Sequence, residues 1–276
     1  MSGVIERTEV LQPEPARALG SLLGVPVPEL DKGRGLPLLW HWIYLLDRPA
    51  QDDLGPDGHP LDGTLPVPPG PGLRRMWAAG RVRISGSLLC GLPATKLTSV
   101  RSLTAKEGRS GHLIFLTIGH QILQDGKLVI DEEQDIVYRQ PDTPAATATA
   151  SAASAKTIPA GEGEWEIELS PTLLFRFSAL TYNAHRIHYD RDYAREVDGY
   201  PGLLTHGPLQ ALAMAEAARA AGWLGDAVFE YRLISPLFDH QGMFVRAVRG
   251  QRTSAMSVRD RHGRQTATGT LRARAR

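Results

Sequence analysis

The chain has 276 residues, of which 42% are hydrophobic and 22% charged, a composition typical of globular proteins rather than disordered or fibrous ones. Thirty-one Lys and Arg against thirty Asp and Glu leave a formal net charge of +1, too small to indicate a nucleic-acid or membrane-surface partner. The single cysteine, Cys90, has no intramolecular disulfide partner, which favours a reducing compartment. Without a signal-peptide pattern or an apolar run of about 18 residues, the sequence predicts a cytoplasmic protein with no membrane span.

The first half of the sequence predicts one helix and an antiparallel meander. Apolar residues at helical spacing between Glu14 and Leu23 indicate a short helix. The alternating aromatic residues of segment 36–46 favour a strand, and the Pro and Gly content of residues 52–72 predicts a long loop. Four strands joined by turns rich in Gly and Asp follow, at residues 81–85, 94–107, 111–124 and 127–139.

Residues 141–160 divide the chain. Their sequence, PDTPAATATASAASAKTIPA, consists of small residues and prolines that offer little to pack, which is typical of a linker. We therefore predict two units of comparable size, residues 1–140 and residues 161–276.

The second unit contains a segment, Leu209 to Ala221, that is nearly all apolar and small. Pro208 suits the first turn of a helix and Gly222 its end. A helix with almost no polar face must be enclosed by protein. Four strands follow it, at residues 230–235, 242–252, 254–261 and 264–274. One buried helix enclosed by a long antiparallel sheet is the hot-dog arrangement, so we expect an α+β double hot-dog with the first unit as a diverged partner.

The polar side chains best suited to chemistry cluster just before this helix, at Tyr182, Asn183, His185, His188, Asp190 and His206. Adding water across an enoyl thioester requires a group that exchanges protons with water and the α-carbon, and donors for an enolate-like oxygen. His188 titrates in the useful pH range and Asn183 can hold a water. The backbone amide of Gly207, where the buried helix begins, is a natural oxyanion site.

The run N-A-H-R-I-H from Asn183 to His188, followed by residues 199–207 ending in H-G, resembles the MaoC-like, R-specific enoyl-CoA hydratase family. The loop of that family reads roughly D-x-N-P-[IL]-H. Histidine matches histidine at His188, whereas Asn183 and His185 stand where the family has its Asp and Asn. Because an Asn cannot act as a general base, the Asp/His dyad of the family does not carry over intact. His188 would then work with His185 or Tyr182.

Three stretches of the first half, residues 57–60, 74–81 and 134–139, are similar to one branch of that family. The branch contains 3-hydroxyacyl-thioester dehydratases and mesaconyl-C4-CoA or itaconyl-CoA hydratases, with a FAS1-like dehydratase domain. The resemblance implies a double hot-dog in which the second unit supplies the catalytic loop and the first shapes the acyl pocket. It also implies interconversion of a 2-enoyl-CoA and a 3-hydroxyacyl-CoA whose acyl group is short and branched or dicarboxylic.

These considerations give a working mechanism. His188 exchanges a proton at the α-carbon or with water, Asn183 and His185 position that water, and the Gly207 amide polarises the thioester carbonyl. Arginine binds anions through two parallel hydrogen bonds, so it suits CoA phosphates or a substrate carboxylate. The predicted substrate-binding residues are therefore Tyr182, His206, Arg74, Arg75 and Arg81.

Several alternatives stay open. His185, His188 and Asp190 have side chains that bind zinc or iron, but their spacing matches no zinc pattern, and Asp190 suits a helix cap. We predict no metal and no nucleotide cofactor. Trp40 and Trp42 are interpreted as core aromatics. The expected partner is an acyl-CoA or an acyl carrier protein thioester, and either a monomer or a homodimer is open. A non-catalytic acyl-thioester binding protein and a hot-dog thioesterase are the other candidate functions.

Overall fold

The computed structural model describes residues 3–61, 73–108, 111–139, 156–223 and 225–273. Ten strands form one antiparallel sheet in the order β1-β3-β4-β5-β2-β7-β10-β9-β8-β6. The strands are β1 Ile5–Val10, β2 Arg74–Ile84, β3 Pro93–Gly108, β4 Gly111–Gln124, β5 Lys127–Arg139, β6 Glu164–Ile167, β7 Ala227–Leu233, β8 Met243–Arg249, β9 Thr253–Arg259 and β10 Gln265–Ala273. The first five strands and the last five follow the same order within their half, so the fold repeats although the sequence does not.

The two halves meet where β2 pairs with β7, in a register that runs from Ala79 opposite Arg232 to Arg83 opposite Val228. Trp77 donates from Nε1 to the hydroxyl of Tyr231 across this seam, at 2.8 Å. A Cβ atom on Gly80 would lie 2.4 Å from that hydroxyl, so glycine leaves the space that the tyrosine occupies. The halves are therefore joined by backbone hydrogen bonds as well as by side-chain packing.

The enclosed helix, α4, spans Gly207–Ala220 and packs against β8, β9 and β10. Pro208 lies in its first turn, as predicted, and nine of its side chains are buried. Glu216 is only 3% exposed, and its carboxylate accepts hydrogen bonds from Trp40 Nε1 at 2.8 Å and Arg219 Nε at 2.9 Å. Because even the charged residues of α4 find partners inside the protein, the helix needs no solvated face. The predicted α+β double hot-dog is confirmed.

The first half begins with the predicted helix, α1, at Pro13–Leu23. The strand expected in segment 36–46 is wrong, because Trp40–Ile43 is a single 3-10 turn preceded by a left-handed residue, Leu39 with φ of 69°. Trp40 is fully buried in the core, as predicted. In the described residues between α1 and β2, the helical segments are all one-turn 3-10 helices, so this part of the first half has no counterpart to α4.

Between β6 and α4, the second half has two shorter helices, α2 at Pro171–Leu180 and α3 at Arg191–Glu196. Ser170 caps α2 by accepting the N–H of Leu173 at 3.1 Å. Asp190 caps α3 by accepting the N–H of Tyr193 at 3.0 Å, as the sequence predicts. The loop that joins the two helices carries the predicted catalytic residues.

Two predicted loops fall partly outside the described residues. Residues 62–72 belong to the loop expected at 52–72, and residues 140–155 include most of the linker expected at 141–160. The linker end is tied to the second half through the N–H of Ile158, which donates to the carbonyl of Arg261 at 2.7 Å. The unit boundaries stay predictions. In the part of the chain that the structure describes, every helix is too short or too polar to cross a membrane.

Candidate active site

A cavity of about 620 Å³ lies between the two halves. Its first-half wall is the inner face of β2–β5 together with segment 41–60, and its second-half wall is α2 and the loop that follows. Pro208, in the first turn of α4, also lines it. Because α4 packs against β8–β10 while the described residues between α1 and β2 form only 3-10 turns, the open space lies against the first half.

Four imidazole rings form a continuous row beside the cavity. The ring centroids are 4.0 Å apart between His59 and His185, 5.4 Å between His185 and His188, and 3.7 Å between His188 and His206. We call these four residues the histidine row. His59 comes from the first half and lines the cavity, whereas His206 is fully buried at the N-cap of α4. The row therefore runs from the cavity wall to the start of the enclosed helix.

Hydrogen bonds fix the orientation of the inner rings. His188 Nδ1 lies 2.7 Å from the carbonyl oxygen of Leu204, which accepts only, so Nδ1 carries the proton and Nε2 is left as an acceptor. His206 Nε2 lies 2.8 Å from the hydroxyl of Ser178, and its Nδ1 is buried without a hydrogen-bond partner among the described residues. His188 therefore has the tautomer required to accept a hydrogen bond or a proton at Nε2.

Burial keeps the inner rings uncharged. It lowers the pKa of His188 to about 4, despite the opposing hydrogen bond to Leu204. Burial also lowers the pKa of His206, and the nearby His188 lowers it further. The pKa of His185 falls for the same reason, and the neighbouring His59, His188 and Arg75 lower it further. All three rings are therefore neutral at pH 7.

A carboxylate is hydrogen-bonded to the fourth ring. Asp57 Oδ2 lies 3.0 Å from His59 Nδ1, and Asp57 Oδ1 accepts the backbone N–H of His59 at 3.0 Å. Burial acts to raise the pKa of Asp57, but the hydrogen bonds from His59 outweigh it and the net shift is downward. The pair is thus a carboxylate that orients an imidazole. Sequence reasoning noted the stretch D-G-H-P without assigning it a role, because nothing local places it beside residue 185.

The Asp57 loop is docked directly on the catalytic loop. Arg186 donates from its backbone N–H to the carbonyl of Asp57 at 2.9 Å and from Nη1 to the carbonyl of Pro56 at 3.0 Å. Gly58 has φ of +87°, and a Cβ atom on it would lie 1.9 Å from the carbonyl oxygen of Ala184. Only glycine permits this backbone conformation and this close approach.

The remaining predicted residues of the catalytic loop lie at the cavity. Asn183 lines it and accepts the backbone N–H of His185 on Oδ1 at 3.0 Å, which braces the loop. Tyr182 also lines it, with a left-handed φ of 52° and 53% of its surface exposed. His185 and His188 are not among the lining residues, and they lie in the layer behind His59.

Gly207 begins α4 and is followed by the cavity-lining Pro208. The first N–H groups of a helix have no partner within it, and the helix dipole favours negative charge there. The Gly207 amide is therefore chemically suited to an oxyanion, and its role as the oxyanion site stays a prediction.

The three predicted arginines differ in position. Arg75 lines the cavity, and its charge contributes to the lowered pKa of the half-buried His185. Arg74 donates to the carbonyl of Asp198 and lies 3.5 Å from its carboxylate. Arg81 forms ion pairs with Glu133 at 2.6 Å and Glu230 at 3.0 Å and is not a cavity-lining residue. Arg75 is thus the best placed of the three to meet a substrate anion.

In the described residues, one trio has metal-ligand atoms within 4.8 Å of one another, namely Asp57, His59 and His185. Both carboxylate oxygens of Asp57 already accept hydrogen bonds from His59, so we interpret these two residues as a hydrogen-bonded pair beside the His185 ring. The set considered from sequence is not brought together, because Asp190 caps α3 and pairs with Arg186. The absence of a bound metal stays a prediction.

A second polar group lies in the first-half wall, centred on Glu132, which is 1% exposed. Its carboxylate accepts the indole N–H of Trp42 at 2.8 Å and contacts His41 Nε2 at 2.8 Å and Gln134 Nε2 at 2.7 Å. Burial acts to raise the pKa of Glu132, but these hydrogen bonds and the charge of His41 lower it to about 2. Trp42, interpreted from sequence as a core aromatic, lines the cavity.

The double hot-dog, with a histidine-bearing loop before its enclosed helix, agrees with the class of thioester hydratases and dehydratases expected from sequence. Residues 39–239 match the family described as hydroxyacyl-thioester dehydratase type 2, which is more than half of the chain. The chain belongs to this family. It is therefore a hydro-lyase, and the family resemblance predicted from the catalytic loop is confirmed.

Individual relatives agree with this assignment. The chain is 48% identical to a mesaconyl-C(4)-CoA hydratase of Chloroflexus aurantiacus over 206 residues, which cover 74% of this chain and 71% of the relative. A MaoC-like dehydratase from Phytophthora capsici superimposes with a TM-score of 0.70 at 17% identity, covering 100% of this chain and 96% of that one. A Mycobacterium tuberculosis protein described as a double hot-dog fold superimposes with a TM-score of 0.57 at 15% identity. The match covers 98% of this chain and 94% of that one.

Proposed function

We propose that the protein interconverts a 2-enoyl-CoA and a 3-hydroxyacyl-CoA by adding or removing water. The observation that carries the proposal is the cavity shared by both halves, which meets the histidine row and the first turn of α4. Such a cavity would give a bound acyl thioester access to an imidazole nitrogen and to the first turn of α4. Membership of the family supports the reaction type.

The proposed roles follow from the geometry. The thioester carbonyl faces the Gly207 amide, which stabilises the negative charge that develops on its oxygen. His188 uses the free Nε2 acceptor to bind the reacting water, and exchange of a proton there requires the neutral ring that burial maintains. Asn183 and His185 hold the loop in place around that water.

We further propose that the acyl group is short and branched or dicarboxylic, of the mesaconyl-C4 or itaconyl type. The support is the 48% identity with a mesaconyl-C(4)-CoA hydratase and the position of Arg75 in the cavity wall beside the row. Its guanidinium suits a carboxylate on the acyl group or a phosphate of CoA. A carrier-protein thioester, a homodimer and a cytoplasmic location stay predictions.

The test is an assay with a panel of enoyl-CoAs, followed through the loss of conjugated-thioester absorbance. We expect turnover of at least one short branched or dicarboxylic member. His188→Ala should lower kcat by about 100-fold or more, the usual contribution of a positioned acid or base, while the protein still folds. His240→Ala, at a half-exposed histidine outside the cavity, is the control. Wild-type turnover by folded His188→Ala would contradict the role of His188.

Non-catalytic binding of an acyl thioester is the second candidate, because Asn183 stands where a catalytic carboxylate is expected. It predicts a thermal shift with acyl-CoA and no product. Release of free CoA thiol during incubation would instead indicate a thioesterase, and thiol titration separates this outcome from hydration.

A further inference from the structure

Within the described residues, the second half of the protein provides no carboxylate to the histidine row. Asn183 is an amide, and Asp190 is engaged by the N–H of Tyr193 and the guanidinium of Arg186. Hydration needs a group that takes a proton from water and holds it while the intermediate lasts. Burial lowers the pKa of His188 and of the other inner rings, which makes a positive charge on them costly.

His59 differs from the three inner rings in two respects. It lines the cavity, and within the described residues it is the ring of the row whose nitrogen meets a carboxylate. Because Asp57 holds Nδ1–H, the lone pair of Nε2 is the acceptor. A carboxylate in this position orients an imidazole and stabilises the imidazolium that forms when the ring takes a proton, as in serine hydrolases.

We propose that His59 is a further catalytic residue and that Asp57 is its positioning residue. The inference rests on the proposed function and deepens it, because His59 takes over the proton exchange and leaves His188 Nε2 to hold the reacting water by a hydrogen bond. In hydration, His59 Nε2 takes a proton from water as the water oxygen bonds to C3, and the C2=C3 electron pair shifts so that the thioester oxygen becomes an enolate. The enolate then re-forms the carbonyl as C2 takes the proton from the His59 imidazolium. One water is added and His59 ends neutral.

The docking of the two loops supports this role. The contacts from Arg186 to Asp57 and Pro56, and the close approach of Gly58 to Ala184, hold His59 against the catalytic loop of the other half. The first half would therefore supply the proton carrier as well as the acyl pocket. This differs from the expectation drawn from the family resemblance, in which the second half alone carries the chemistry.

The experiment compares His59→Gln and Asp57→Asn in the full chain with the enoyl-CoA that the wild type turns over best. We expect His59→Gln to lower kcat by about 100- to 10,000-fold with KM nearly unchanged, and Asp57→Asn to lower kcat by a smaller factor. The matched control is His240→Gln, since His240 also lies beside a carboxylate, 3.4 Å from Asp239, but outside the cavity. It should keep wild-type kinetics.

Chemical rescue separates a catalytic role from a structural one. Added imidazoles should restore turnover by His59→Ala, with a rate that rises with the basicity of the added ring, whereas pyrrole, which has the same size and no basic nitrogen, should not. Equal rescue by pyrrole, or wild-type kcat in folded His59→Gln, would overturn the inference. If His59→Ala does not fold, the kcat of His59→Gln and Asp57→Asn decides. If the wild type is active and His59→Gln is equally active, only the role of His59 is contradicted. If the wild type turns over none of the enoyl-CoAs, the proposed function itself is contradicted.

Discussion

At position 183 an asparagine can brace the catalytic loop but cannot act as an acid or a base. Asn183 Oδ1 accepts the N–H of His185, a hydrogen bond that an aspartate would also make, so the loop keeps its shape. An amide does not titrate, so its acid-base capacity is absent. Among the described residues, the carboxylate that contacts the row is that of Asp57, which lies 126 positions before Asn183 in the sequence.

Glu132 allows a stability test at the scale of one residue. Replacing it with Gln puts an amide NH₂ where donors from Trp42, His41 and Gln134 now meet a carboxylate. We expect the free energy of unfolding at pH 7 to fall by about 3 kcal/mol, the usual cost of breaking a buried charged network. Glu133→Gln, at the half-buried neighbour whose side chain pairs with Arg81 instead, is the control and should cost about 1 kcal/mol or less.

The same variant should change the pH dependence of stability. Since the pKa of Glu132 is lowered to about 2 in the fold, its contribution is complete above the unfolded pKa near 4.5 and is lost as pH falls towards 2. Denaturant unfolding at pH 7, 5 and 3 should therefore show a smaller loss of stability in Glu132→Gln than in the wild type. Parallel pH profiles for the two proteins would contradict the shift.

The proposed site residues differ in how much the sequence says about them. His188 and Gly207 could be proposed from sequence because they lie in one continuous motif that ends at a helix start. Asp57 and His59 lie in a Pro- and Gly-rich loop without periodicity, and their proposed role depends on docking against residue 184. Contacts between residues so far apart are set by the fold, so local sequence cannot predict them.

Among the elements, α4 is the easiest to predict and the 3-10 turn at Trp40–Ile43 the hardest. The apolar composition of α4 is enough to predict that the helix is buried, because it leaves almost no polar face for solvent. Alternating aromatics, by contrast, fit a pleated strand, but Leu39 adopts a left-handed conformation that turns the chain at that point. The segment is shaped by packing, with Trp40 reaching Glu216 on α4.

The loop containing Gly58 provides a test at the scale of an element. Gly58→Ala should both strain the backbone and force the loop away from Ala184, because φ is +87° and the new Cβ would meet a carbonyl oxygen. We expect kcat to fall by about tenfold or more, since small displacements of catalytic groups are costly.

Gly91→Ala is the matched control, because its φ is +82° and nothing lies within 4 Å of its Cβ position. It should lower stability by about 1 kcal/mol through strain alone and leave kcat unchanged. Equal effects of the two variants on kcat would show that loop docking does not matter for turnover.

At the scale of the whole molecule, the two halves share a strand order but differ in what covers their inner faces. In the second half α4 packs on β8–β10, whereas the described first half has 3-10 turns in the corresponding position. The cavity occupies the resulting space. The repeat is visible in the topology rather than in the residues, which explains why no internal sequence repeat is found.

The seam between β2 and β7 predicts that neither half functions alone. Fragments 1–140 and 161–276 would each expose an unpaired sheet edge there, and such edges favour aggregation. We expect each fragment alone to be inactive, and the two expressed together to associate and regain measurable hydratase activity. Gel filtration and the absorbance assay would check this, and an active fragment 161–276 would contradict it.

The docking of segment 55–60 on residues 183–186 has an evolutionary consequence. Substitutions on either side of that contact must be tolerated by the other side, so the two segments should change together among descendants of this enzyme. A chimaera that takes one half from a distant relative would combine loops that had diverged separately. Grafting both segments together should preserve this contact, whereas exchanging only one of them should disrupt it.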